Sequence, residues 1–297
     1  MTTAAAAPPA PAAHTMHGAD WARWALPGVV WGTSFFFIAE ALDGFPAAVI
    51  TPLRVGLGFL TLGLVPAARR TRITGTDRWR IVLLGTIWMA IPLSLFPFAE
   101  QHVSSSVTGM LNGGTPIFVT IVAAFLARRA PHARQIAGLL LGLAGVVLIA
   151  LPTAGDGGNS LGGIALILLA LVFYGFALNV AVPLQQRYGS LPVLWRAQAV
   201  ALVLTTPLGL LHAGDVTFGW RPTLSMVGLG VLGTALAYVA MADNAGRLGS
   251  SRASASVYLI PVVSLVLGAA VRNEDVAALS VAGCAVALAG AWMAGRG

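Results

Sequence analysis

The chain has 297 residues, 57% hydrophobic and 9% charged, where soluble domains carry about 25% charged residues. With a mean hydropathy of +0.84, that composition excludes an ordinary soluble protein and leaves no room for a sizeable aqueous domain. The net charge of +7 does not define a nucleic-acid binder, because the basic residues punctuate apolar runs instead of clustering on a wet face. All 17 basic residues are arginine, which with the abundance of Ala and Gly points to a coding bias and a bacterial source. The single cysteine, Cys284, excludes an intramolecular disulfide and a multi-cysteine metal site.

Residues 1–22 read as a disordered cytoplasmic tail, Ala/Pro-rich and without the charged n-region and apolar h-region of a signal peptide. Stretches free of Asp, Glu and Arg then recur at the length of a bilayer crossing: 24–39, 81–99, 101–127, 135–155, 157–186, 197–214, 222–242, 253–271 and 276–295. A tenth, 44–68, is broken only by Arg54. The runs are continuously apolar, which predicts helices and disfavours the alternation of a β-barrel. With ten spans, 13 of the 17 arginines fall on one side, including Arg69, Arg70, Arg72, Arg78 and Arg80, so both termini are expected in the cytoplasm.

An internal repeat organises the chain. A shift of 145 residues aligns Ser105-Ser106 with Ser250-Ser251, Pro116 with Pro261, Gly138 with Gly283, and Leu143-Ala144-Gly145 with Leu288-Ala289-Gly290. Upstream, Leu84-Gly85-Thr86 matches Leu232-Gly233-Thr234, and Trp31-Gly32 faces Tyr174-Gly175. The halves are expected over 23–152 and 153–297. Five spans per half is odd, so the second copy crosses in the opposite sense. The expected fold is an all-α polytopic membrane protein, ten transmembrane helices in a 5+5 inverted repeat, as in carriers that work by alternating access around a midplane site.

Trp31-Gly32-Thr33-Ser34-Phe35, Leu53-Arg54, the Ser105/Pro116 helix followed by Gly138, Gly142, Ala144 and Gly145, and Leu232 to Tyr238 with Tyr258-Leu259-Ile260-Pro261 resemble the EamA-type family of the drug/metabolite transporter superfamily. The resemblance covers roughly residues 24–294 in two copies. It implies a ten-helix carrier with a central cavity that moves small metabolites and often exports amino acids. The acidic residue that the family often carries after the fourth and ninth helices survives as Glu274, while Arg129 stands at the matching place in the first half.

Arg54 lies eight residues beyond Pro46, about 12 Å into the membrane at 1.5 Å per residue, where a charge costs roughly 2.5–3.5 kcal/mol. It either binds a substrate carboxylate bidentately or forms a structural ion pair, for instance with Glu40. Arg196 is near a span end and is expected to snorkel to the interface. Gln198 is the closer counterpart of Arg54 in the second half and is expected to hydrogen-bond either substrate or a neighbouring helix. Asn112-Gly113-Gly114-Thr115-Pro116 is the clearest break in a span, and Pro261 stands at the matching point of the other half. Such paired interruptions either build a transport site, with freed carbonyls lining a cavity, or are packing kinks. Trp31, Trp88, Tyr174, Tyr238 and Tyr258 fall mid-span or at repeat-related positions and are candidates for an aromatic cavity wall; Ser34 and Asn179 are further polar candidates. Glu40, Glu100 and Asp243 sit at span ends, where a solvated or capping carboxylate is expected. Gly138, Gly142 and Gly145, with Gly283, Ala287 and Gly290, give two helices small faces that pack the halves together or mediate dimerisation.

The expected function is a secondary carrier, an exporter of small organic metabolites. Amino acids with aromatic or apolar side chains are the leading substrate, on the resemblance together with the buried cation and aromatics. The alternatives are a carrier of other metabolites or drugs, a channel, or a membrane-embedded enzyme built on Glu100, His102 and Ser104 to Ser106. No phosphate-cradling or metal-ligand motif accompanies that cluster, so neither cofactor nor metal is expected. The expected partners are a small molecule and the lipid bilayer of a bacterial inner membrane, with no nucleic acid, in a monomer or homodimer.

Overall fold

The computed structural model of the protein describes residues 18–128, 132–155, 158–248 and 253–295. Most of the tail expected at the N-terminus, together with Arg129, Ser250-Ser251, Arg252 and Arg296, lies outside the described residues. The first helix begins at Gly18, inside the segment expected as tail. The described residues are helical apart from turns and short links, with no strand among them. Seven helical segments are long and apolar enough to cross a membrane: Gly18–Leu42, Asp77–Glu100, Ser105–Ala127, Ala133–Ala154, Ser160–Tyr188, Ser190–Leu211 and Trp220–Ala245. Three shorter apolar helices, Ala47–Gly63, Ala255–Val271 and Ala278–Ala294, pack among them. Large apolar side chains such as Leu60, Leu140, Val147 and Val203 are exposed on the outside, a surface suited to lipid rather than water.

In chain order the helices are α1 (Gly18–Leu42), α2 (Ala47–Gly63), α3 (Pro66–Arg70), α4 (Asp77–Leu84), α5 (Ile91–Glu100), α6 (Ser105–Asn112), α7 (Thr115–Ala127), α8 (Ala133–Ala154), α9 (Gly158–Tyr188), α10 (Ser190–Leu211), α11 (Trp220–Val227), α12 (Ala237–Leu248), α13 (Ile260–Val271) and α14 (Ala278–Ala294). A π-helical turn over Gly85–Ala90 joins α4 to α5, and a second over Gly228–Leu236 joins α11 to α12. These two turns share the repeated Leu-Gly-Thr sequence, and π turns inside α-helices are frequent at functional sites. A 3-10 turn over Ala255–Leu259 leads into α13.

Contacts define two ends of the bundle. At one end Asp77 receives hydrogen bonds from Arg187 and Tyr188, both at 2.8 Å, and Asn244 bonds the Arg23 carbonyl. Arg196, expected to snorkel to the interface, donates its guanidinium to the carbonyls of Thr71 and Pro192 and ties α10 to the loop after α3. Arg69, Arg70, Arg72 and Arg80 are exposed around that loop, so this is the arginine-rich end. At the opposite end Thr217 N–H bonds the Gly44 carbonyl, and Glu40 meets Arg272 and Arg221.

The halves are joined along α8 and α14. A Cβ at Gly145 would collide with the backbone of Ala287, and one at Gly290 with the backbone of Gly142. The small residues therefore let two helices touch backbone to backbone within one chain, the packing expected of such faces where lipid supplies no hydrophobic drive.

The interrupted span does not leave its carbonyls free. Gly113 and Gly114 stay in the right-handed helical region, with φ of −59° and −74°, and Gly114 N–H bonds the Leu111 carbonyl at 2.9 Å. The chain thus tightens by one 3-10 turn. Pro116 withholds the N–H that would have reached the Asn112 carbonyl, and the Thr115 hydroxyl takes that carbonyl instead, at 2.7 Å. The carbonyl expected to be free is satisfied. In the second half, Ile260 N–H makes the equivalent short bond to Val257. The two interruptions meet, since a Cβ on Gly113 would strike the Pro261 ring.

Candidate functional site

A cavity of about 370 Å³ lies between the halves, lined by residues of α1, α2, α5 and the π turn before it, α6, α7, α9, α10, α12, and α13 and the 3-10 turn before it. Its lower wall is apolar and aromatic. Phe35 and Phe96 meet edge to face with centroids 5.4 Å apart, and Tyr174 leans on Phe96 at 6.0 Å. Higher up, Tyr238 packs edge-on against both Trp31, at 5.1 Å, and Trp88, at 5.8 Å. Gln185, Ser190, Ala245 and Ser254 complete the lining towards the arginine-rich end.

Arg54 enters this cavity from α2 and is the one charged residue among the described residues that line it. It is 7% exposed, and its Nε donates to the Thr234 hydroxyl at 2.9 Å. No carboxylate lies within salt-bridge distance of it among the described residues. The ion pair with Glu40 considered above is not made, because Glu40 is engaged by Arg272 and Arg221.

The π turn over Gly228–Leu236 is what presents Thr234. That hydroxyl donates to the Leu229 carbonyl, five residues back, at 2.9 Å. The widened turn leaves two carbonyls to side-chain donors: Trp31 Nε1 bonds Gly233 O at 3.0 Å, and Gln198 Nε2 bonds Thr234 O at 2.6 Å. Gly58 on α2 permits the approach, because a Cβ there would meet the Thr234 side chain. Arg54 is therefore aimed by a hydroxyl that is itself fixed by a backbone irregularity, and its two terminal nitrogens are left to the cavity.

Of the residues singled out from sequence, Arg54, Trp31, Ser34, Trp88, Asn112, Thr115, Tyr174 and Tyr238 converge on this one cavity. Three do not. Gln198 is fully buried and spends its amide on the Thr234 carbonyl. Asn179 donates to the carbonyls of Gly175 and Val119, bridging α9 to α7. Tyr258 is half-buried against the apolar core outside the cavity lining. Sequence reading missed Thr234 as a positioning residue, although it stands in the repeated Leu-Gly-Thr motif.

The cavity is shut off at the end away from the arginines. Beyond Phe35 and Phe96, Glu274 receives the backbone N–H of Ser105 at 3.1 Å and of Ser106 at 2.9 Å, and the Ser105 hydroxyl at 2.7 Å. A carboxylate at the N-terminus of α6 satisfies otherwise orphaned donors and favours the helix dipole. Glu40, expected as a solvated carboxylate, is 5% exposed and holds Arg272 and Arg221. Glu100 likewise departs from expectation, since both its carboxylate oxygens are buried without a hydrogen-bond partner among the described residues. Asp243 is exposed and pairs with Arg247 at 2.8 Å. Ser104 caps α6, the Ser105 hydroxyl and the Ser106 backbone N–H bond Glu274, the Ser106 hydroxyl is buried without a hydrogen-bond partner among the described residues, and His102 is exposed.

A polytopic helical bundle with a central aromatic cavity and one guanidinium inside it has the form of a membrane carrier for a small molecule. The chain belongs to the EamA-like transporter family, whose model matches residues 22–151 and 161–296, one copy in each half. Among its relatives, a probable terminal-alkyne amino-acid exporter of Streptantibioticus cattleyicolor is 30% identical over 93% of each chain. The uncharacterized transporter YdfC of Bacillus subtilis is 28% identical, over 88% of this chain and 86% of that one. A solved crystal structure superposes with a TM-score of 0.62 at 18% identity, covering 91% of this chain and 94% of the other, which marks a shared fold.

Proposed function

We propose that the protein is a secondary carrier that exports amino acids with apolar or aromatic side chains across a bacterial inner membrane. Arg54 takes the substrate carboxylate, and the Trp31, Trp88, Tyr174 and Tyr238 rings receive the side chain. The observation that carries this reading is a guanidinium held at the wall of an aromatic cavity with a hydroxyl, and no carboxylate, as its partner. A bidentate carboxylate is the natural complement of such a fork. The relative that is 30% identical, a probable terminal-alkyne amino-acid exporter, supports an amino acid as the substrate.

The proposed topology is ten crossings in a 5+5 inverted repeat, the arginine-rich end and both termini facing the cytoplasm. On this reading the cavity opens inward, while Glu274 on α6 and the Glu40 ion pairs close the outer side. Alternating access then requires those bonds to break as the inner mouth closes. The protein is read as a carrier, with no reaction assigned to it.

The test is counterflow in liposomes, with unlabelled amino acid inside and its labelled counterpart outside, run across apolar, aromatic and small polar amino acids. The expected result is saturable exchange of the apolar and aromatic set, lost in Arg54→Ala. Exchange by Arg54→Ala at the wild-type rate would overturn the assignment of Arg54.

A further inference from the structure

The charge inventory of the cavity says more about the ligand than its size does. Its described lining offers one cation, Arg54, and no carboxylate. The acidic residues nearest the bundle axis are committed elsewhere: Glu40 to Arg272 and Arg221, and Glu274 to the N-terminus of α6. Glu100 lies past Phe96 and lines the separate outer hollow with Arg272 and Glu274. The remaining polar lining is neutral. Asn112 is held by the Thr115 hydroxyl, and Ser34 donates to the Val30 carbonyl at 3.1 Å.

An ammonium group entering this cavity meets neutral acceptors only, and it meets them beside another positive charge. Burying an unpaired cation is costly, and like charges raise that cost. The amino group of a zwitterion is tolerated because its own carboxylate, docked on Arg54, keeps the pair neutral overall. A carboxylate lacking the amino group pairs with Arg54 equally well and leaves no ammonium to desolvate. An amine lacking the carboxylate finds ring faces and neutral groups in the described lining, a weaker offset than an ion pair, and no carboxylate to balance its charge beside that of Arg54.

We propose that the carrier selects a monocarboxylate joined to an apolar or aromatic group and that the α-amino group is dispensable, so 2-hydroxy and unsubstituted aryl or alkyl carboxylates share the site while the corresponding amines are refused. This rests on the reading of the cavity as the substrate site. The protein's cargo then extends from amino acids to the acids that reduction of 2-oxo acids or loss of the amino group produces.

The experiment uses the full chain in liposomes loaded with unlabelled L-phenylalanine, with labelled L-phenylalanine outside and unlabelled L-3-phenyllactate, 3-phenylpropanoate or phenethylamine as external competitors. Protein-free liposomes correct for leakage of the acids. The two carboxylates are expected to halve labelled uptake at concentrations within about threefold of that needed for L-phenylalanine itself, and phenethylamine to need at least about tenfold more, the ratio set by one charge-assisted pair. Labelled L-3-phenyllactate is expected to exchange directly, and Arg54→Ala to abolish both exchanges.

Exchange of L-phenylalanine with no competition from either deaminated acid would overturn this inference and leave the amino-acid reading standing. Competition by phenethylamine as strong as by L-phenylalanine would also overturn it, because the cavity would then read the amine. If neither labelled L-phenylalanine nor labelled L-3-phenyllactate exchanges, the reading of the cavity itself falls.

Discussion

Three arginines among the described residues are buried or half-buried: Arg196 is taken up by the Thr71 and Pro192 carbonyls at the arginine-rich end, and the other two, Arg272 and Arg54, live by different rules. Arg272, at the outer end, is 24% exposed at its side chain and is surrounded by carboxylates: Glu40 in direct contact, with Asp43 at 3.7 Å and Glu274 at 3.8 Å. Arg54, at the cavity wall, has the Thr234 hydroxyl. A charge matched by acids is a structural element whose loss leaves those acids uncompensated. A charge matched by one neutral oxygen retains its electrostatic demand, and the fold keeps it pointed where a ligand can answer it. Charged side chains inside membrane spans mark substrate pathways by default, and on the reading proposed above the contrast assigns that role to Arg54.

The contrast can be broken from either side. The largest effect is expected from Arg54→Ala on transport, a loss of about tenfold to 100-fold in exchange rate, since a hydrogen-bonded ion pair contributes roughly 1.5–3 kcal/mol, read as initial counterflow of labelled L-phenylalanine. Arg272→Ala should act on the fold instead and lower the unfolding temperature in detergent. Its cost is below the roughly 3–5 kcal/mol of a fully broken buried pair, because Arg221 still reaches Glu40 at 3.2 Å. Thr234→Val is the mildest and sharpens the comparison. It removes two hydrogen bonds, the charge-assisted one from Arg54 Nε and the neutral one to the Leu229 carbonyl, and frees Arg54 to turn, so half-saturating substrate concentration should rise about fivefold with a modest drop in unfolding temperature.

The sequence carried the cavity further than it carried the gate. Arg54, Trp31, Trp88, Tyr174 and Tyr238 were legible because a charge or a polar-tipped ring in mid-span has few bland explanations, and the repeat placed them near one another. The paired Pro116 and Pro261 were legible as interruptions. Their outcome was not, because whether a proline opens or tightens a helix depends on a local hydroxyl, here Thr115, that can take the freed carbonyl. Which of its two readings Gln198 would take was not legible for a related reason: the π turn at Gly228–Leu236 presents a carbonyl to it, and helical periodicity at 3.6 residues per turn does not anticipate a widened turn. The outer closure escaped notice because Glu40, Arg272, Glu274 and Ser105 are distant in sequence, and each alone reads as an ordinary span end.

The account's central claim is that the charge of Arg54 is held for a ligand and not for the fold. Thermal unfolding of Arg54→Met beside wild type, in the same detergent and without substrate, tests it most directly. Methionine fills similar space without the charge, and exchanging a buried ion for an apolar group of like volume is often neutral or stabilising. The account predicts an unfolding temperature equal to or above wild type in a protein whose exchange is lost. A drop as large as that of Arg272→Ala would contradict it and make Arg54 a structural residue.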